Sequence, residues 1–194
     1  GVISHGLDRF GSYLKAVSEG LINPGAEPVR VWSGGALERW DGRSGPGNLN
    51  AWTAMNRALE LAEENGVGCV ALSHTNHWMR GGNYGWQAVD AGRIGLCFTN
   101  TMPNMPPWGS AHRLIGNNPL VIAVPRKSGP VVLDMAMSQF SYGALSRYGK
   151  DGRKLPVPGG YDEERGLSDD PVRIEKTGRL IPAGFWKGSG LSIV

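Results

Sequence analysis

Two histidines, an asparagine and an arginine crowd one stretch, Ser73-His-Thr-Asn-His-Trp-Met-Arg80, which runs on into Gly81-Gly-Asn-Tyr-Gly-Trp86. Histidine exchanges a proton near neutral pH, and arginine grips carboxylates through paired N–H donors. The apolar run Val67–Leu72 before it reads as a buried strand, and Gln87–Gly92 after it as a helix with a glycine stop. Loops between strand ends and helix starts are where α/β sheets bind ligands. Gly81, Gly82 and Gly85 suggest close backbone approach. A glycine-rich turn with two surface aromatics is the plainer alternative. A second pair, His5 and Arg9, is four residues apart, on one face of a helix. Ser4 can cap that helix, running from about His5 to Glu19 and closed by Gly20, with Leu7, Phe10, Leu14 and Val17 as its core face. In a first turn the helix dipole disfavours a charged imidazole, so His5 can pass on a proton beside an arginine that holds a carboxylate. Local sequence alone favours an ordinary exposed histidine there.

The elements that must position these groups follow from periodicity. Val29–Trp32 and Leu37–Trp40 alternate as two short strands joined by Ser-Gly-Gly. A helix starting at Asn48 or Asn50 places Met55, Ala58, Leu59 and Ala62 on one core face and ends at Asn65-Gly66. Strands are predicted at 67–72, 94–99, 119–124 and 130–134. The alternation of strand and helix predicts parallel pairing through right-handed crossovers. Asn100–Gly109 is an irregular loop fixed by Pro106, Pro107 and Trp108. Asp134, at a strand end that opens a helix, suits a ribose or amide contact, or equally caps that helix. Residues 150–184 read as loop-rich, with Asp162–Arg165 as a solvated charged run.

A chain of 194 residues, 40% apolar, can bury a real core as one α/β region. Its net charge of +3 is scattered, with no Lys/Arg run, so no nucleic-acid face is expected. Cys69 and Cys97 form no CxxC pair and read as buried free thiols of a reducing cytosol. No apolar run is long enough to span a membrane and no signal peptide is legible, so a cytoplasmic protein is expected. The ends, Gly1-Val-Ile-Ser and Leu191-Ser-Ile-Val, read as those of a fragment. There is no GxGxxG after a strand, no Walker A and no GxSxG. His74-x-x-His77 lacks the glutamate of a zinc-hydrolase helix, so no metal is expected.

Several motifs together resemble the type-2 malate/L-lactate dehydrogenase family of NAD(P)-dependent oxidoreductases. They are Ser4–Phe10, Asn76–Gly82, Tyr84–Ala88, Met105–Gly109, Gly116 with Asn118–Leu120, Asp134-Met135 with Phe140–Gly143, and Trp186–Gly190. They span nearly the whole chain, and Asn76–Trp86 with Phe185–Gly190 resembles a branch acting on a diketo sugar acid. The resemblance implies a non-Rossmann α/β fold, a mixed sheet flanked by helices, that binds NAD without the glycine fingerprint. It implies His5 as proton donor to a substrate carbonyl, with Ser4, Arg9, His77 and Asn118 in the substrate pocket. It places the cofactor on Pro130, Val131, Val132, Leu133, Asp134, Met135 and Ala136, and against Trp186 and Lys187. It implies a small 2-keto sugar acid as partner and a homodimer as working form. Trp78, Trp108 and Trp186 can flank cofactor or substrate, or be core aromatics. Malate, lactate or ureidoglycolate dehydrogenases of the family, and a sugar-acid sensor without turnover, are the alternatives.

Overall fold

The computed structural model describes residues 5–184, and its first strands form a hairpin. Strands β1 (Val29–Gly34) and β2 (Leu37–Asp41) pair antiparallel about Gly35, whose φ of +60° suits glycine. Helix α2 (Gly47–Asn65) carries the chain back, and β3 (Cys69–Ser73) lies parallel to β2, with Leu37 opposite Cys69 and Asp41 opposite Ser73. Parallel strands need such a crossover. The helix stops at Gly66, left-handed at φ +79°, whose N–H donates to the Ala62 carbonyl. A Cβ on Gly68 would lie 2.0 Å from the Ala58 carbonyl oxygen, so only glycine lets strand follow helix this closely.

Helix α3 (Gly82–Asp90) precedes β4 (Gly95–Phe98), β5 (Leu120–Val124) and β6 (Val131–Met135), which form a second sheet in the order β4-β5-β6. Gly85 and Gly95 bring α3 onto this sheet: a Cβ would meet Val121 at 2.8 Å in the first case and Ala88 at 2.7 Å in the second. Helix α4 (Tyr142–Lys150), the antiparallel pair β7 (Gly160–Tyr161) and β8 (Leu167–Ser168), and helix α5 (Pro171–Thr177) complete the described elements.

The chain gathers into two compact units. The first takes the chain up to Cys97 plus Val121–Leu133, and the second takes Phe98–Leu120 plus the chain from Asp134. In the first, Tyr84, Cys97 and Val121 are buried together, with Ala51, Met55, Trp78 and Val132 against them. In the second the core is Met105, Met137, Leu145, Leu155, Ile174 and Leu180.

All four strands expected at 67–134 are present within a residue or two, but β3 and β4 do not share a sheet. The parallel succession holds for β2-α2-β3 and does not carry on from β3 to β4. Helix α1 (Phe10–Ser18) also differs from expectation. A 3-10 turn (Leu7–Arg9) precedes it, and Gly6 at φ −122°, ψ −113° is in no helical conformation. His5 therefore precedes the helix by a turn, and the dipole argument for it does not apply. None of α1 is buried, and the expected core residues Leu7, Phe10 and Leu14 are exposed. Helix α2 begins at Gly47 after Pro46, and its buried residues are Gly47, Asn50, Ala54 and Leu61. Cys69 is exposed and Cys97 buried; both are free thiols. Residues 150–184 hold β7, β8 and α5, the last capped by Asp170, whose Oδ1 accepts from Val172 and Arg173 N–H. Asp162 of the charged run is buried, takes the Glu164 and Gly166 N–H groups at 3.0 and 2.9 Å, and pairs with Arg173.

Candidate functional site

Because β2 and β3 run parallel, the loops leaving them emerge side by side, with the start of α2 against both. Asn76 ties these loops together. Its Nδ2 lies 3.1 Å from the Ser44 carbonyl, 3.2 Å from that of Gly45 and 3.4 Å from that of Leu21. Asn50, buried in the first turn of α2, donates to the Gly42 carbonyl at 3.0 Å and to Thr75 Oγ1 at 2.9 Å. A Cβ on Gly47 would sit 2.0 Å from the Asn76 carbonyl oxygen, so helix and loop touch backbone to backbone. Arg43, Ser44, His74 and Met79 all have positive φ, which non-glycine residues adopt only when the surroundings hold them there. His74 turns away to Asp41, Nδ1 to Oδ2 at 2.9 Å, and the Arg43 N–H with this histidine holds the Asp41 carboxyl below its ordinary range.

His77 meets His5. Their rings stack with centroids 6.1 Å apart and an interplanar angle of 24°. The Met79 N–H donates to His77 Nδ1 at 3.0 Å. Burial, and then the charges of Arg9 and His5, pull the His77 imidazole down to about 4, so the ring is neutral at physiological pH. One residue on, the Tyr84 hydroxyl donates to the Trp78 carbonyl at 2.5 Å and the two rings pack at 5.6 Å, which pins the backbone after His77. The first unit thus brings His5, Arg9 and His77 into one neighbourhood. Two histidines, one held neutral, beside a guanidinium can hold a carboxylate and serve a carbonyl oxygen with N–H donors.

In the second unit, Asn118 is held by Thr101. The Thr101 N–H and Oγ1 lie 2.9 and 3.3 Å from Asn118 Oδ1, while Thr101 Oγ1 also donates to Asn117 Oδ1 at 2.9 Å. Asn104 Nδ2 adds a 3.0 Å bond to Asn117. A Cβ on Gly116 would fall 2.3 Å from Thr101 Oγ1 and 2.4 Å from Asn118 Oδ1, so this arrangement requires glycine.

Of the expected cofactor segment, Pro130, Val131, Leu133 and Asp134 are exposed, and Val132, Met135 and Ala136 half-buried. Asp134 lies inside β6 and caps no helix; Ser141 Oγ caps α4, accepting from Ala144 N–H at 3.1 Å. Exposed aliphatic side chains such as Val131 and Leu133 are of the kind that can pack against flat rings. Ser4, Trp186 and Lys187 fall outside the described residues. Trp78 is a packed aromatic, and Trp108 is 53% exposed. Among the described residues no three His, Cys, Asp or Glu side chains gather as a metal site, and no helix is long and apolar enough to cross a membrane.

The chain belongs to the malate/L-lactate dehydrogenase family, whose model matches residues 1–194. It is 52% identical, over 195 aligned positions and 100% of its length, to the 2,3-diketo-L-gulonate reductases of Citrobacter koseri and Klebsiella pneumoniae. It spans 58% of the length of each of these relatives. Among solved structures, the sulfolactate dehydrogenase of Methanocaldococcus jannaschii matches with a TM-score of 0.89 at 33% identity, over 98% of this chain and 55% of its own. The delta1-piperideine-2-carboxylate reductase of Pseudomonas syringae matches with a TM-score of 0.91 at 29% identity, over 98% of this chain and 57% of its own.

Sequence reading singled out Asn76 as a polar group of the loop but not as its tie to neighbouring loops, and missed Thr101 and the Met79 amide as supports of the site. Asn76 carries no spacing signal, because its acceptors lie 31 to 55 residues away in sequence. Met79 acts through its backbone, which side-chain motifs do not reveal.

Proposed function

We propose that this chain is part of a cytoplasmic enzyme, working as a homodimer, that uses NADH to reduce 2,3-diketo-L-gulonate to 3-dehydro-L-gulonate. The observation that carries the reading is the grouping of His5, Arg9 and His77 in a chain 52% identical along its whole length to reductases of that name. The bound nicotinamide supplies the hydride. Val131, Leu133 and Asp134, with Met135, Ala136, Trp186 and Lys187, hold the dinucleotide. Arg9 grips the substrate carboxylate and so orients the adjacent 2-keto carbon. As negative charge develops on the carbonyl oxygen, His5 donates a proton to it and His77 a hydrogen bond. Ser4 and Asn118 are further proposed contacts to the substrate.

The reading is tested by following NADH and NADPH oxidation by the intact purified protein. The panel is 2,3-diketo-L-gulonate, oxaloacetate, pyruvate, sulfopyruvate and cyclic imino acids, with size-exclusion light scattering for the assembly. The expected result is highest kcat/KM with NADH and the diketo acid. Preference for oxaloacetate or pyruvate would move the protein to another branch of the family. Binding of the sugar acid without oxidation of either nucleotide would favour a sensor.

A further inference from the structure

The left-handed turn at Met79 has a chemical consequence for the ring two residues before it. A backbone N–H can only donate, so His77 Nδ1, 3.0 Å from the Met79 nitrogen, must offer its lone pair. A neutral imidazole has one lone-pair nitrogen and one N–H, so the proton sits on Nε2. Charging the ring would set one N–H against another. The surroundings oppose that charge too, with the Arg9 guanidinium and the His5 ring facing His77.

The amide is aimed by backbone geometry that the fold maintains. Met79 has φ +63°, a value that a long side chain rarely adopts, and the Tyr84 hydroxyl fixes the carbonyl just before it. A relaxed extended backbone would turn the Met79 N–H elsewhere and leave the His77 tautomer undetermined.

We propose that the Met79 amide is a positioning group that locks His77 as the Nε2–H tautomer, making it a standing hydrogen-bond donor to the substrate rather than an acid in turnover. This rests on the reductase reading above and deepens it by dividing two stacked histidines between two roles. His5 gives up the proton, and His77 stabilises the oxygen that receives it without changing its own charge.

The test has one readout that needs no turnover. Nitrogen-15 NMR of histidine-labelled intact protein, with His77 assigned by its loss in His77→Gln, should show an unprotonated Nδ1 and a protonated Nε2 throughout the neutral range. Met79→Gly, which keeps the N–H and enters the left-handed region freely, should preserve that pattern. A folded Met79→Pro, lacking the N–H, should release it into a tautomer mixture. In kinetics, His77→Gln keeps an N–H donor without a titrating group and should stay within about ten-fold of the parent kcat, whereas His77→Leu should lose about a hundred-fold or more. An Nδ1-protonated, mixed-tautomer or charged His77 in the parent would overturn the proposal. So would an unchanged tautomer in folded Met79→Pro, or equal losses in His77→Gln and His77→Leu. Should Met79→Pro fail to fold, the parent and Met79→Gly spectra still decide the tautomer. If no keto acid is reduced at all, the reductase reading falls, while the spectra still report on the lock.

Discussion

Replacing His5 by glutamine removes a group that can release a proton while leaving a similar volume, so it separates chemistry from folding. The expected result is a loss of about 10²–10⁴ in kcat with unchanged NADH affinity and unfolding midpoint. Arg9→Ala removes a carboxylate partner present before the transition state and should act mainly by raising substrate KM. Steady-state kinetics on the two variants checks both; a His5 variant within a few-fold of the parent would reassign the acid. His77 makes a separate prediction about stability. The unfolded chain protonates this ring near its ordinary value of 6.5, but the folded chain does so only at about 4. Between those values the unfolded state binds the extra proton, so stability falls as pH falls through that window. His77→Gln should flatten this part of the curve, read by urea denaturation at about pH 7 and about pH 5. An unaltered pH dependence would mean that the ring titrates alike in both states.

At the scale of elements, the hairpin and α2 are joined by one carboxylate. Glu38 of β2 has a fully buried side chain that accepts from Arg57 Nη2 at 3.0 Å, Arg30 Nη1 at 3.1 Å and Trp40 Nε1 at 2.8 Å. The Arg57 hydrogen bonds above all hold its carboxyl at about 2 rather than 4.5. Its contribution is therefore complete above about pH 4.5 and disappears as pH falls toward 2. Glu38→Gln should destabilise the protein by about 2–4 kcal/mol at neutral pH, measured by chemical denaturation, because it removes the buried charge shared by Arg57 and Arg30 and leaves Arg57 only its more exposed pairing with Glu60. Gly85→Ala should cost about 1–3 kcal/mol by pushing α3 off Val121. Glu38 drew no attention as sequence, since one Glu in Leu37-Glu-Arg-Trp40 looks like the polar face of an exposed strand. The four central strands were legible because each is a short apolar run bounded by glycine or proline. Their division between two sheets was not, since an apolar run records burial and not which neighbour it bonds. All nine residues of helix α1 fall inside the expected span, but that span begins too early, because Gly6 breaks the turn that the spacing of Leu7 and Phe10 continues. His5 with Arg9 and the His77 loop were legible as chemistry-bearing residues. Their convergence was not, for it depends on the loop ties made by Asn76 and Asn50.

For the molecule as a whole, apolar surface is unevenly covered. Along β4, Gly95 and Cys97 are buried while Leu96 and Phe98 are 58% and 69% exposed, and Val131 and Leu133 of β6 are exposed as well. The 194-residue chain by itself should therefore bind an apolar-surface dye, and Leu96→Lys with Phe98→Lys should lower that binding while preserving the far-UV spectrum. Unchanged dye fluorescence would locate the exposed surface elsewhere. The route of the chain through the two units carries a different consequence. The first unit contributes residues up to Cys97, is left for Phe98–Leu120, and is completed only by Val121–Leu133. Its core joins Tyr84 and Cys97 to Val121, with Val132 packed against them. A nascent chain that has just released Cys97 from the ribosome has the histidine loop but no closed core beneath it. The neighbourhood of His5 and His77 gains its full support only after residue 133 has emerged, by which time part of the second unit has been made as well. Neither unit is a cassette that a single cut can free, and recombination that exchanges one must carry two separate stretches of gene together.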